Sequence, residues 1–183
     1  MARQVKGIGG EMESLLKRHI RDIPDFPKPG IVFKDITPIL LNHEVFSRII
    51  DAFVKRYEAE GIHAVVGIES RGFLFGTPLA HQLKASFVPI RKKGKLPYKT
   101  VDMSYDLEYG SATIEMHEDA IERGQRVIIV DDLLATGGTA EAACKLIEKQ
   151  GGKVVECAFV VELAFLNGRE KIKNPVHSLV KYD

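Results

Sequence analysis

Cysteine is scarce. Cys144 and Cys157 are the only two in 183 residues, and they fall in segments that read as helix and strand, which excludes a disulfide framework and gives no zinc site. A reducing cytoplasm is the expected setting. No stretch approaches the roughly 18 apolar residues that span a bilayer. Met1 to Gly10 contains Arg3 and Lys6 but lacks the apolar core of a secretory leader. A soluble protein with no membrane partner is therefore expected. Excess charge is also missing: 26 basic against 25 acidic residues leave +1, so the surface as a whole does not attract nucleic acid, and any anion site must be local. There are no internal repeats, low-complexity tracts or linkers of the kind that separate domains. With 45% hydrophobic residues, residues 1–183 are predicted to form a single domain around one core.

What is present alternates between two periodicities. Met12, Leu15, Leu16 and Ile20 recur at helical spacing, after which Pro24, Pro27, Pro29 and Gly30 force an extended arm as far as about Ile31. Asn42 can cap a second helix that buries Phe46, Ile49, Ile50, Phe53 and Tyr57 and ends at Gly61. Strand Ala64–Ile68, a helix from about Phe73 to Leu83 and strand Phe87–Ile90 make one βαβ unit. Strand Val127–Val130, a helix from about Thr139 to Lys149 and strand Val154–Val161 make another. Between them, Arg91 to Ser104 is polar, basic and broken by Gly94 and Pro97, which predicts a long mobile loop; Ala112, Ile114 and Met116 alternate as a half-exposed strand. A last strand near Ser178–Tyr182 is placed at an edge. The pattern predicts an α/β fold of three layers, with a mostly parallel central sheet and helices on both faces.

The run from Val127 to Thr139 carries the chemistry. Four β-branched residues in succession read as a strand covered on both faces, and ligands bind at the carboxyl edge of such a sheet. Asp131 and Asp132 follow as acceptors for paired sugar hydroxyls or, through water, for a divalent cation. Gly137 and Gly138 let successive amides converge on an anion, the next helix adds its positive end, and Thr136 and Thr139 offer hydroxyls while Ala135 leaves the approach open. The arrangement suits a phosphate monoester. No G-x-x-x-x-G-K-[ST] run exists, and Gly7-x-Gly9-Gly10 follows no strand, so neither the P-loop nor the dinucleotide fingerprint applies.

That run resembles the signature of the type I phosphoribosyltransferases. Phe26-Pro27-x-Pro29-Gly30-x-Val32-Phe33-x-Asp35-Ile36, Ser70-Arg71-Gly72-Phe73, Arg91-Lys92-x-Gly94-Lys95-Leu96-Pro97 and Leu107-Glu108-Tyr109-Gly110 are similar to the adenine-specific branch of that family, from about Asp22 onward. The resemblance implies the type I phosphoribosyltransferase fold, with a small N-terminal hood (1–35) and a flexible catalytic hairpin loop (92–112). It assigns Asp131 and Asp132 to the ribose hydroxyls and Ala135, Thr136, Gly137, Gly138 and Thr139 to the 5′-phosphate. Ser70, Arg71, Arg91 and Lys95 would hold pyrophosphate, with a cis peptide between the two residues before Arg71. Val32, Phe33, Lys34 and Leu163 would enclose adenine, Tyr105 would screen the reacting centre, and Glu108 would take the purine proton as general base. Lys34 stands where Arg is also familiar, which matters little where backbone groups read the base.

The implied substrates are adenine and 5-phosphoribosyl-1-pyrophosphate and the products AMP and pyrophosphate, in purine salvage. Mg²⁺ is the implied cofactor, bound mainly through substrate and water rather than directly by the protein, and a homodimer is implied, with Arg71 or the following helix near its interface. Two alternatives stay open: transfer to hypoxanthine, guanine or orotate, and a non-catalytic regulator that senses the phosphoribosyl ligand. His63, His81 and His117 have no spacing typical of zinc and are read as structural.

Overall fold

The computed structural model describes residues 5–106 and 110–183, in two compact units, residues 1–52 and 53–183. In the first unit, helix α1 (Val5–His19) buries Leu16, and the chain then forms a small antiparallel ribbon of β1 (Arg21–Ile23) and β2 (Phe33–Asp35). Between these strands Phe26 and Phe33 meet edge to face, ring centroids 5.3 Å apart. A short helix α2 (Thr37–Leu40) has Pro38 in its first turn, where a missing N–H costs nothing. Helix α3 (His43–Tyr57) starts as predicted, with the Asn42 side-chain oxygen accepting from the Val45 amide at 3.1 Å.

The second unit is built on a seven-stranded sheet. Its strands are β3 (Ala64–Ile68), β4 (Ser86–Lys92), β5 (Thr100–Asp106), β6 (Ser111–His117), β7 (Arg126–Leu134), β8 (Lys153–Leu163) and β9 (Val176–Tyr182). Their spatial order is β5-β6-β4-β3-β7-β8-β9. The five strands from β4 through β9 in that order run parallel, and β5 and β6 add an antiparallel hairpin. Period-2 alternation covers both faces. Ala64, Val66 and Ile68 pack in one cluster with Ala140, Ala143, Leu146 and Ile147 of helix α5 (Gly138–Lys149). On the other face, where helix α4 (Gly72–Leu83) packs, a β-carbon at Gly67 of β3 would come 2.8 Å from Phe87 of β4 and 3.1 Å from Phe73 of α4. The expected three-layer architecture is thus present, with β9 at the edge.

Three local expectations differ from the structure. The loop predicted from Arg91 to Ser104 contains strand β5, because Val101, Met103 and Tyr105 alternate toward the core and pair with β6 in unbroken register. Glu115, expected on the open side of a half-exposed strand, is 3% exposed. It accepts hydrogen bonds from the Lys95 and Leu96 amides at 2.9 Å and from the Thr100 hydroxyl, so the turn before β5 folds over it. Strand β7 does not stop at Val130 but runs on through both aspartates to Leu134.

Candidate active site

Strand β3 lies at the centre of the sheet; the chain passes from it outward to β4 on one side, and from its other neighbour, β7, outward to β8 on the opposite side, which opens a crevice at the strands' carboxyl ends. The last β3–β7 pair is Gly67 with Val130; beyond it, among the described residues, β7 has β8 alone as a strand partner, pairing Asp131 with Phe159 and Leu133 with Val161. Asp131 and Asp132 therefore stand on a strand fixed along one edge and free of a neighbouring strand along the other. The following loop turns at Gly137, with φ of +82°, a conformation that suits glycine, and leads directly into α5.

Three clefts meet at Asp131. One lies in the turn from Ala135 to Thr139, a second is bounded by Glu69, Arg91 and Tyr105, and a third by Ser70, Arg71 and Asp132. Burial drives the Asp131 carboxyl well above the usual carboxylate range, and the adjacent Asp132 charge adds to this. Asp132, 6% exposed, accepts from Arg71 Nε at 2.5 Å, while its amide donates to Asp131 Oδ1 at 2.9 Å.

The cations expected around pyrophosphate are gathered by Glu69, a residue that sequence pattern does not single out. Its carboxylate accepts from Lys95 Nζ at 2.7 Å, from the Lys92 amide at 3.0 Å and from Arg91 at 3.3 and 3.4 Å. Burial opposes ionisation of Glu69, but these donors outweigh it and hold the carboxyl at about 2. Its only legible sign in the sequence is its place immediately before Ser70-Arg71. The Glu69–Ser70 peptide is cis. Tyr105 reaches the Ala135–Thr139 turn: Thr139 Oγ1 lies 3.0 Å from its hydroxyl, and a β-carbon at Gly138 would come 3.3 Å from its ring.

Leu163 ends β8 and pairs with Tyr182. Val32, Phe33 and Lys34 belong to the first unit, where Val32 is exposed, Phe33 and Lys34 are half-buried, and Lys34 Nζ binds Asp22 at 2.6 Å. Leu107, Glu108 and Tyr109 lie outside the described residues. Among the described residues no group of three or more His, Cys, Asp or Glu is placed to hold a metal ion, and no helix is long and apolar enough to cross a membrane.

The sequence profile of the phosphoribosyl transferase domain matches residues 36–183. The adenine phosphoribosyltransferase of Chloroflexus aurantiacus is 57% identical over 164 residues, covering 89% of this chain and 95% of that one. The chain belongs to the adenine phosphoribosyltransferase family. Among solved structures, the adenine phosphoribosyltransferase of Rhodothermus marinus superposes with a TM-score of 0.90 at 54% identity, covering 94% of this chain and 99% of that one. The Saccharomyces cerevisiae enzyme, crystallised with D-2,5-dideoxy-2,5-imino-altritol 1,6-bisphosphate and adenine, superposes at 0.89 with 44% identity, covering 93% and 99%. The order of strands and the central crevice are thus those of a phosphoribosyltransferase.

Proposed function

We propose that this chain transfers the 5-phosphoribosyl group of 5-phosphoribosyl-1-pyrophosphate to adenine, giving AMP and pyrophosphate. The observation that carries the reading is the meeting of three clefts at Asp131, one cradled by backbone amides and hydroxyls and two bordered by Arg71 or Arg91. Ala135 to Thr139 would take the 5′-phosphate, and Asp131 and Asp132 the ribose hydroxyls. Arg71, Arg91 and Lys95, with Ser70, would exchange the carboxylates of Asp132 and Glu69 for oxygens of the pyrophosphate. Val32, Phe33, Lys34 and Leu163 would hold adenine.

N9 of adenine attacks C1 of the ribose as the C1–O bond breaks, and the electron pair leaves with pyrophosphate. The positive charge that develops on the sugar must be kept from water, a task suited to Tyr105 over the phosphate turn. Glu108 would accept the proton lost from purine N7. Mg²⁺ would be held mainly by substrate oxygens and water, with the adjacent carboxyl groups of Asp131 and Asp132 at its margin. Its chemistry would be to neutralise charge on the leaving pyrophosphate.

A reducing cytoplasm and a homodimer complete the proposal. Support for the first is the scarcity of cysteine, and for the second the 44% exposure of Leu74, an apolar side chain on α4 three residues after Arg71. Sedimentation across a concentration range tests the dimer.

The activity test supplies the sugar pyrophosphate and Mg²⁺ with adenine, hypoxanthine, guanine or orotate in turn. AMP is the expected product. Nucleotide formed only from another base would replace adenine as substrate, and no product with any base would favour a ligand sensor. Glu108→Gln should lower kcat on the order of 10²-fold or more while leaving affinity for the sugar substrate within about twofold. Turnover near wild type would remove Glu108 as the base.

A further inference from the structure

Packed against the Ala135–Gly137 turn lies a short 3₁₀ turn, Gly168–Lys171, that no part of the proposed reaction employs. Its first residue presses backbone to backbone on the turn that would hold the 5′-phosphate. A β-carbon at Gly168 would overlap the Ala135 carbonyl oxygen and come 2.9 Å from the Gly137 amide nitrogen, and one at Gly137 would overlap the Gly168 carbonyl. Gly168 has no positive φ, so glycine is required there by space and not by backbone conformation. The approach fixes where the Ala135–Gly137 peptides sit.

The next residue, Arg169, locks the 3₁₀ turn to the sheet. Its guanidinium donates to Glu162 as a planar fork, Nε to Oε1 at 2.9 Å and Nη2 to Oε2 at 2.6 Å, and Nη1 donates to the Val176 carbonyl at 2.6 Å. Glu162 is 4% exposed and also accepts from Ser178 Oγ at 2.6 Å, with Lys181 Nζ 3.8 Å away. A buried acid on β8, a fork on the 3₁₀ turn and a carbonyl at the start of β9 thus hold Gly168 at a fixed height under the phosphate loop. An isolated ion pair at a sheet edge would need no such contact with the loop.

We propose that Arg169 and Gly168 are positioning residues for the 5′-phosphate: the Arg169–Glu162 fork braces the turn, and Gly168 transmits that position to the amides of Ala135 to Gly137. The inference rests on the reading that this loop takes the phosphate. It concerns one half of the substrate only, because the Arg71, Arg91 and Lys95 group hangs on Glu69 and Asp132 and makes no use of the brace.

The test compares the full-length wild type with Arg169→Gln, Arg169→Lys and Gly168→Ala by calorimetric titration with ribose 5-phosphate and, separately, with pyrophosphate and Mg²⁺. Arg169→Gln and Gly168→Ala should weaken ribose 5-phosphate about tenfold and leave pyrophosphate within about twofold. Steady-state assays should then show KM for the sugar pyrophosphate rising by a similar factor, with kcat changed far less. Arg169→Lys, which keeps charge but not the fork, should recover part of the loss. Unchanged ribose 5-phosphate affinity in the folded variants, or equal weakening of both ligands, would overturn the inference. Failure of all three variants to fold would do so too, since the pair would then be a requirement of the sheet. A wild type that binds ribose 5-phosphate yet makes no nucleotide would instead count against the activity and leave the brace standing.

Discussion

Asp131 illustrates how one residue's surroundings set its protonation. Burial and the neighbouring Asp132 raise its pKa in the fold, while an unfolded Asp titrates near 3.9. The folded chain then holds a proton that the unfolded chain has released, so this contribution favours folding at lower pH and is lost as pH rises through the folded pKa. At pH 7 the site costs stability. Asp131→Asn removes that cost and should raise Tm by about 2–4 °C, the shift that about 1 kcal/mol produces in a chain of this size, while weakening binding of the ribose substrate. A drop in Tm at pH 7 in a thermal scan would contradict the upward direction of the Asp131 shift.

Among elements, the docking of α4 onto β7 leaves little tolerance. A β-carbon on Gly72, the first residue of α4, would come 2.6 Å from the Val130 carbonyl oxygen and 3.0 Å from Asp131 Oδ1. The nearest of these is strand backbone, and the Asp131 Cα, also backbone, would lie only 3.3 Å away. Gly72→Ala should therefore destabilise by about 1–3 kcal/mol, the usual cost of overpacking. Urea unfolding should show a lower midpoint with an unchanged m-value, and a midpoint equal to wild type would mean that the helix can shift freely.

For the whole molecule, buried ion pairs set the response to acid. Glu69 is held at about 2. Glu115 and Glu156 are held below the usual range by backbone amides and by Arg56 with Tyr57, against the opposing effect of burial, and Glu162 is lowered chiefly by Arg169. Each depressed carboxyl contributes stability that is present above about 4.3, the unfolded value for Glu, and is lost as pH falls through the folded pKa. His177 acts in the same direction. Burial and then Arg56 push it down to about 4, so stability declines as pH falls from about 6.5, the ordinary histidine value, through 4. Asp131 works the other way over the upper part of this range, so it is in the Asp131→Asn variant that unfolding free energy should fall below about pH 6.5 and, as the glutamates protonate, more steeply below about 4.5. Glu69→Gln should flatten the steeper limb, and an acid limb identical to wild type would show that Glu69 is not depressed.

The sequence alone determined the features that are written in neighbouring residues. The β-branched run, the paired aspartates and the glycine turn of Val127 to Thr139 encode strand, acceptors and φ values within thirteen positions, and helix periodicity placed α3, α4 and α5 to within a few residues. The alternation of β5 is masked by the basic run before it, and Glu115 looks solvent-facing because period 2 assigns a face without saying what the turn above it covers. Only the tertiary structure decided the order of strands, the collection of Arg91 and Lys95 by Glu69 over 22 and 26 positions, and the seating of Gly168 beneath Ala135 and Gly137. Local patterns specify backbone conformation and burial of a face, whereas encounters between distant residues are set by which strands lie side by side and by the fixed reach of their loops.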